Sequence, residues 1–122
     1  MWYCAHLIMA VRLKSGVQKE LPVWENVFLL EAESAEIVKE RASQIGRREE
    51  ALSASSEMQC DGEPVQQVFV GVRKIIQVST SIDEQGKFLD GAEVTYSQYI
   101  VQSEDDLMKL AKGDPVSVVY DE

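Results

Sequence analysis

Residues 65–78, Val-Gln-Gln-Val-Phe-Val-Gly-Val-Arg-Lys-Ile-Ile-Gln-Val, decide the fold because they carry the strongest strand pattern in the sequence. The stretch is rich in β-branched residues and contains no proline, a composition that favours a β-strand. It follows the pair Asp61-Gly62, which is typical of a tight hairpin turn. Its fourteen residues far exceed the usual strand length of about 5 to 6. We therefore predict a central strand that is bent or bulged at Gly71, where a glycine marks a kink or a close backbone approach.

Further strands are predicted on both sides of this stretch, at residues 2–13, 22–33, 52–60, 92–102 and 116–120. The first two alternate at strand period, yet both alternating faces are apolar. An antiparallel strand with one face in water would carry polar residues on that face, so we expect both strands to be covered on both sides. Residues 52–60 have poor strand propensity. We place them at an edge, as the first arm of the hairpin that turns at Asp61-Gly62.

Two helices are predicted from their end signals. Ser34 is a suitable N-cap for an amphipathic helix that would stop at Gly46, before a charged stretch at residues 47–50. Ser103 and Asp106 have the spacing of a capping box, and Gly113 would end this second, shorter helix. Residues 14–20 and 79–91 are predicted loops. The fold class predicted is α+β, a mostly antiparallel sheet of five to six strands with one main helix and a short C-terminal helix.

The composition is that of an ordinary globular domain: 122 residues, 45% hydrophobic and 27% charged, with a net charge of −9. We expect a single domain over residues 1–122, with a core at 1–102 and a C-terminal addition at 103–122. The acidic balance disfavours nucleic acid as a partner, because binding phosphate backbones requires a basic face. No apolar run is long enough to cross a membrane, and no signal peptide is evident. We expect a cytoplasmic protein.

Several short motifs resemble those of a family of short bacterial proteins. They are Trp2-Tyr3, Leu29-Leu30-Glu31-Ala32, Asp61-Gly62-Glu63 with Val65, Phe69-Val70-Gly71-Val72 and Gly91-Ala92-Glu93-Val94. The family is catalogued as a domain of unknown function, numbered four thousand two hundred and eighty-eight. The resemblance runs from Trp2 to Tyr99 and implies a compact β-rich domain with one main helix. It assigns no activity and no functional residues, and the chain departs from the pattern after Tyr99.

Candidate chemistry centres on His6, the only histidine, and Cys4 on the same face of the first strand. Residues two apart on a strand project in parallel, roughly 6.5 to 7 Å apart, so the two do not form a ready-made nucleophile and base. A buried or interfacial histidine satisfied by a hydrogen bond is the favoured interpretation. Cys4 and Cys60 are expected to be free thiols. No metal or cofactor site is predicted, because the acidic residues of the 79–91 loop lack the spacing of a calcium loop.

Trp2, Trp24, Tyr96 and Tyr99 are candidates for an interface, where aromatic residues concentrate. Two helices can cover about one face of the predicted sheet, which leaves the other face without cover. We therefore expect a non-enzymatic interaction module that forms a homodimer through an apolar sheet face or edge, with another protein as a further partner. A sheet that curls to cover itself is the structural alternative. The functional alternative is a small-molecule binding protein or minor enzyme with a cleft near His6 and Cys4.

Overall fold

The computed structural model describes residues 1–78 and 83–121. Within these ranges the elements are β1 (Trp2–Leu13), β2 (Val23–Glu31), α1 (Ala35–Ala54), β3 (Gln59–Cys60), β4 (Glu63–Val78), β5 (Tyr99–Ile100), α2 (Glu104–Lys112) and β6 (Val119–Tyr120). The α+β class with a mostly antiparallel sheet is confirmed. The described strands divide into a four-stranded sheet in the order β2-β1-β4-β3 and a two-stranded sheet of β5 and β6, instead of one sheet of five to six.

The centre of the larger sheet is β1. It pairs antiparallel with β2 on one side and with β4 on the other. The stretch that was predicted to be central, β4, lies between β1 and β3, but β3 is only two residues long. The predicted irregularity near Gly71 is present, because the β1–β4 register shifts on either side of it and skips Val70 and Arg73.

The helix α1 corrects two sequence predictions. It does not stop at Gly46 but continues to Ala54, so the charged stretch at 47–50 is helical and the predicted strand at 52–60 shrinks to β3. A Cβ atom on Gly46 would lie 2.3 Å from Cδ1 of Phe69. The glycine therefore permits a close approach between α1 and β4 instead of ending the helix. The hairpin at Asp61-Gly62 is confirmed, with φ angles of 52° and 80° in the turn.

The core lies between α1 and the first face of the sheet. Leu7 on β1 and Val38 and Ala42 on α1 have no exposed surface. Tyr3, Ala5 and Leu30 complete the buried cluster, and partly buried side chains from β2, α1 and β4 pack against it. We call the opposite side of the sheet the second face.

The edge of β4 that faces away from β1 is protected by hydrogen bonds to α1 and to the turn after it. The Phe69 N–H donates to Oε1 of Glu50 at 2.7 Å, and the Gln67 N–H donates to Oγ of Ser53 at 2.6 Å. The Val65 N–H donates to the carbonyl of Met58 at 3.1 Å. These bonds satisfy backbone donors that would otherwise be open to strand addition.

The C-terminal region covers part of the second face. The strand predicted at 92–102 is reduced to β5, and the one at 116–120 to β6. The short helix α2 is confirmed, with Ser103 accepting from the Asp106 N–H at 3.1 Å and Gly113 at a φ of 82°. The predicted loop at 79–91 falls partly on residues 79–82, which lie outside the described residues. In the described part of the chain, neither helix has the length and apolar character needed to cross a membrane.

Candidate functional site

The structure places Cys4 and His6 on the second face, beneath residues 94–96. Each is only 3% exposed, although the helix α1 packs on the other face of β1. The Cys4 thiol donates to the carbonyl of Val94 at 2.9 Å. The cover on this side of β1 is thus a segment of the same chain without regular secondary structure.

Both ring nitrogens of His6 have side-chain partners. Nδ1 lies 2.7 Å from Oε2 of Glu25 on β2, and Nε2 lies 2.5 Å from Oγ1 of Thr95. A buried imidazole nitrogen without a hydrogen-bond partner would lower the stability of the fold. The two contacts avoid this cost because each ring nitrogen has a partner. The favoured interpretation of His6 as a satisfied buried histidine agrees with this geometry.

The carboxylate of Glu25 connects three strands and the C-terminal region. Besides His6 it accepts a hydrogen bond from the Tyr120 hydroxyl at 3.4 Å, and Nε of Arg73 lies 3.9 Å away. The Arg73 guanidinium stacks 3.5 Å from the centroid of the Tyr120 ring. Partial burial and a hydrogen bond with Tyr99 raise the pKa of Tyr120 to about 12, so its hydroxyl keeps the proton that it donates.

A third attachment follows immediately along the chain. The Lys74 ammonium donates to the carbonyl of Tyr96 and, at 3.3 Å, to Oγ of Ser97. It also lies 5.5 Å from the centroid of the Tyr96 ring. Three successive residues, 94, 95 and 96, are therefore each bonded to the second face. We call these contacts of Cys4, His6 and Lys74 with residues 94–96 the C-terminal seam.

Thr95, His6 and Glu25 have the order of groups found in hydrolase triads, a hydroxyl, an imidazole and a carboxylate. Here, however, both neighbours of Thr95 are also hydrogen-bonded to the sheet. The Thr95 hydroxyl is therefore one of three consecutive contacts that attach residues 94–96 to it. Burial raises the pKa of the Cys4 thiol, whereas a nucleophilic cysteine needs a lowered one. Among the described residues no group of three or more potential metal ligands occurs. The arrangement is suited to holding the segment in place.

A difference in thiol reactivity is expected from this geometry. Cys60 is exposed on β3, while Cys4 is buried, hydrogen-bonded and stabilised in its protonated form. At pH 8, iodoacetamide should alkylate Cys60 at least about 100-fold faster than Cys4, because the reagent attacks the thiolate. Mass spectrometry of timed digests measures both rates. In 6 M guanidinium chloride the two should react alike, and equal rates in the native protein would contradict the burial of Cys4.

The aromatic candidates do not form one cluster. Trp2 is half-buried and packs edge to face on Phe88 at 5.3 Å between ring centroids. Trp24 on β2 is 47% exposed and lies opposite Met9 of β1. Tyr96 lies at the seam, and Tyr99 packs edge to face on Tyr120 at 5.0 Å. Tyr96 and Tyr99 thus belong to the C-terminal cover, and Trp2 and Trp24 lie elsewhere.

The strand β2 is an edge of the larger sheet and forms a second candidate surface. The Val11 N–H donates to Pro22, and the Ala32 N–H donates to Met1, so even-numbered β2 residues bond to β1. Odd-numbered residues consequently direct their N–H and C=O groups outward. The side chains of Val23, Val27 and Leu29 lie on the second face and are 53%, 46% and 45% exposed. The edge of β2 therefore presents a strip of exposed apolar side chains beside backbone N–H and C=O groups that point away from the sheet.

Sequence reasoning missed Glu25 and Thr95, the partners of His6, and Arg73 and Tyr120, which contact Glu25. A signal existed for two of them. Glu25 is the carboxylate in the interior of an otherwise largely apolar strand, and Arg73 is one of two cations inside β4. A charge within a doubly apolar strand predicts a buried partner. The identity of that partner depends on strand register, which the sequence does not specify locally.

The comparisons with known proteins assign a family but no activity. A family model described as Domain of unknown function (DUF4288) matches residues 2–96, well over half of the 122-residue chain. The match includes the seam and ends before β5, α2 and β6. No curated protein and no solved structure matches the chain. The chain belongs to the family described as Domain of unknown function (DUF4288).

Proposed function

We propose that the chain is a non-enzymatic protein-interaction module that self-associates through β2. Two copies pair their β2 strands antiparallel about a two-fold axis, which continues the sheet from one copy into the other. The observation that supports this proposal is the state of the edge. In the described residues, the outward backbone groups from Val23 to Leu29 have no hydrogen-bond partner, and the apolar strip lies beside them.

Sheet edges in soluble proteins are usually protected from strand addition by charges, prolines, bulges or covering elements. The opposite edge follows this rule, because Glu50 and Ser53 of α1 occupy the donors of β4. The nine-residue β2 has a regular register with β1 and no internal proline. Of its two charged residues, Glu25 is bonded to His6 and Glu31 lies at the end of the strand. Its lack of protection supports an edge that is covered by another strand.

The sequence of β2 is compatible with antiparallel pairing to a second copy of itself. With Val27 opposite Val27 of the second copy, all nine residues overlap and Glu25 faces Leu29. A shift of one residue pair toward the C-terminus would place Glu25 opposite Glu31, a repulsive like-charge pair. The two-fold register is the reason to favour a second copy as occupant over an extended segment of another protein.

A disulfide across the two-fold axis tests this register. Residues in a hydrogen-bonded antiparallel pair have Cα atoms about 5.5 Å apart, within the range that a disulfide spans. In a Cys60→Ser background, Val27→Cys should form a covalent dimer under mild oxidation. The matched control is Leu29→Cys, similarly exposed on the same strand, whose two copies would lie about 14 Å apart in this register. Non-reducing electrophoresis measures both.

Equal cross-linking of the two variants would show random collision and reject the register. A monomer near 14 kDa by light scattering at high micromolar concentration, without Val27→Cys cross-links, would reject self-association. Each copy carries a net charge of −9, so like-charge repulsion opposes the dimer. Association should therefore strengthen with salt, the reverse of binding to a basic partner. Ligand binding at His6 and Cys4, the functional alternative, would first require residues 94–96 to leave the seam.

A further inference from the structure

A cleft at the end of the sheet lies apart from both the seam and β2. It has a volume of about 330 Å³ and lies between the β1–β2 loop and the β3–β4 hairpin. Its floor is apolar, formed by Val11, Leu13 and Val65, of which Val11 and Val65 are 5% and 2% exposed. The volume is at the lower end of the range for small-molecule sites.

The loop wall of the cleft is fixed to β1 by specific bonds. The Gln18 side-chain amide donates to the Val11 carbonyl at 2.7 Å and accepts from the Leu13 N–H at 3.3 Å. The Val11 N–H donates to the carbonyl of Pro22, which also lines the cleft, at 2.9 Å. Because these bonds hold the loop at two points, the cleft is largely formed before any ligand arrives.

The charges that line the cleft are unbalanced. Three carboxylates, Glu20, Asp61 and Glu63, are opposed by one ammonium, Lys19. We propose that the cleft binds a small organic cation, with an apolar body on the valine floor and an ammonium group among the carboxylates. At roughly 30 Å³ per water molecule the cleft displaces about eleven waters, which suits a ligand of about ten non-hydrogen atoms.

An NMR titration with 2-phenylethylammonium tests the proposal, with neutral 2-phenylethanol and anionic phenylacetate as probes of nearly the same shape. We expect the amine to bind with a Kd on the order of 1 mM, as suits so small a ligand. Amide shifts should concentrate at Val17, Gln18, Cys60 and Val65. The amine should bind at least fivefold more tightly than the alcohol, and phenylacetate should not bind.

Matched variants separate the cleft from general attraction to an acidic protein. The pair Glu20→Gln and Glu63→Gln should remove the preference for the amine over the alcohol. The pair Glu104→Gln and Asp105→Asn, which removes two charges on the exposed start of α2, should change the Kd less than twofold. Cys60→Trp should fill the cleft and abolish binding, and Cys60→Ser should not. Equal binding of amine and alcohol, an equal effect of both charge pairs, or shifts spread over the surface would overturn the proposal.

Discussion

Gly46→Val is expected to lower the free energy of unfolding by about 3 kcal/mol, at the upper end of the usual cost of overpacking a core. A Cβ atom at this position would meet Cδ1, Cε1 and Cγ of Phe69 at 2.3, 2.6 and 2.7 Å. The contact with Cγ involves the base of the ring, so rotation of the ring does not remove it. Either α1 must move away from β4 or Phe69 must leave its position against the core. Urea denaturation followed by circular dichroism measures the loss.

The matched control is Gln44→Val, because Gln44 is an exposed residue in the same helix. It carries the helix-propensity cost of a β-branched residue without the clash and should change stability by less than about 1 kcal/mol. Phe69→Leu combined with Gly46→Val should be less unstable than the sum of the single variants, since the two residues are in contact. A Gly46→Val protein as stable as the Gln44→Val protein would show that α1 does not pack at this distance.

This glycine also shows why the length of α1 was predicted wrongly. A glycine after a run of helical spacing is the usual signal for a helix end, and Gly46 has that appearance. The same residue is required where a helix crosses a large side chain closely. The two roles differ only in the residue that faces the glycine, and Phe69 is distant from Gly46 in sequence. The local sequence pattern cannot separate the two roles. The arm predicted at 52–60 was too long for the same reason, since only residues 59–60 form β3.

Elements defined by local signals were predicted well. The strands β1, β2 and β4 follow from alternation and composition, the hairpin from Asp61-Gly62, and α2 from its two caps. The doubly apolar pattern of β1 also indicated cover on both faces. The nature of that cover was not predicted. Residues 94–96 lie in a stretch with strand composition, but they bond to side chains on the face of the sheet instead of pairing with its edge. The periodicity of a sequence predicts which residues are buried, but it does not predict which residues cover them.

The candidate site was half predictable for a related reason. His6 and Cys4 stood out as lone chemical groups on one strand face, and the structure buries both there. The two partners of His6, Glu25 and Thr95, are 19 and 89 residues away from it in sequence. The first depends on the β1–β2 register and the second on the path of the chain after β4. Both are tertiary properties, and neither leaves a trace in local spacing.

The second large effect is expected for Glu25→Ala, which should lower the free energy of unfolding by about 2 to 3 kcal/mol. The substitution removes the acceptor of the buried His6 Nδ1, and an unsatisfied buried group costs about 1 to 3 kcal/mol. It also removes the acceptor of the Tyr120 hydroxyl and a neighbour of Arg73. Chemical denaturation gives the total loss, and Glu25→Gln, which keeps an acceptor oxygen, should recover part of it.

Hydrogen exchange separates this role from a general loss of stability. If Glu25 holds the C-terminal cover through His6 and Tyr120, amides at residues 94–98 and 119–121 should exchange at least about tenfold faster in Glu25→Ala under native conditions. The exchange rates of amides in the middle of α1 should rise only by the factor that the loss of global stability requires. Glu31→Ala is the matched control, because it removes an exposed carboxylate from the same strand and should leave the cover unchanged. Equal exchange in the two variants would mean that the seam closes without Glu25, since Cys4 and Lys74 would then suffice to hold residues 94–96 against the sheet.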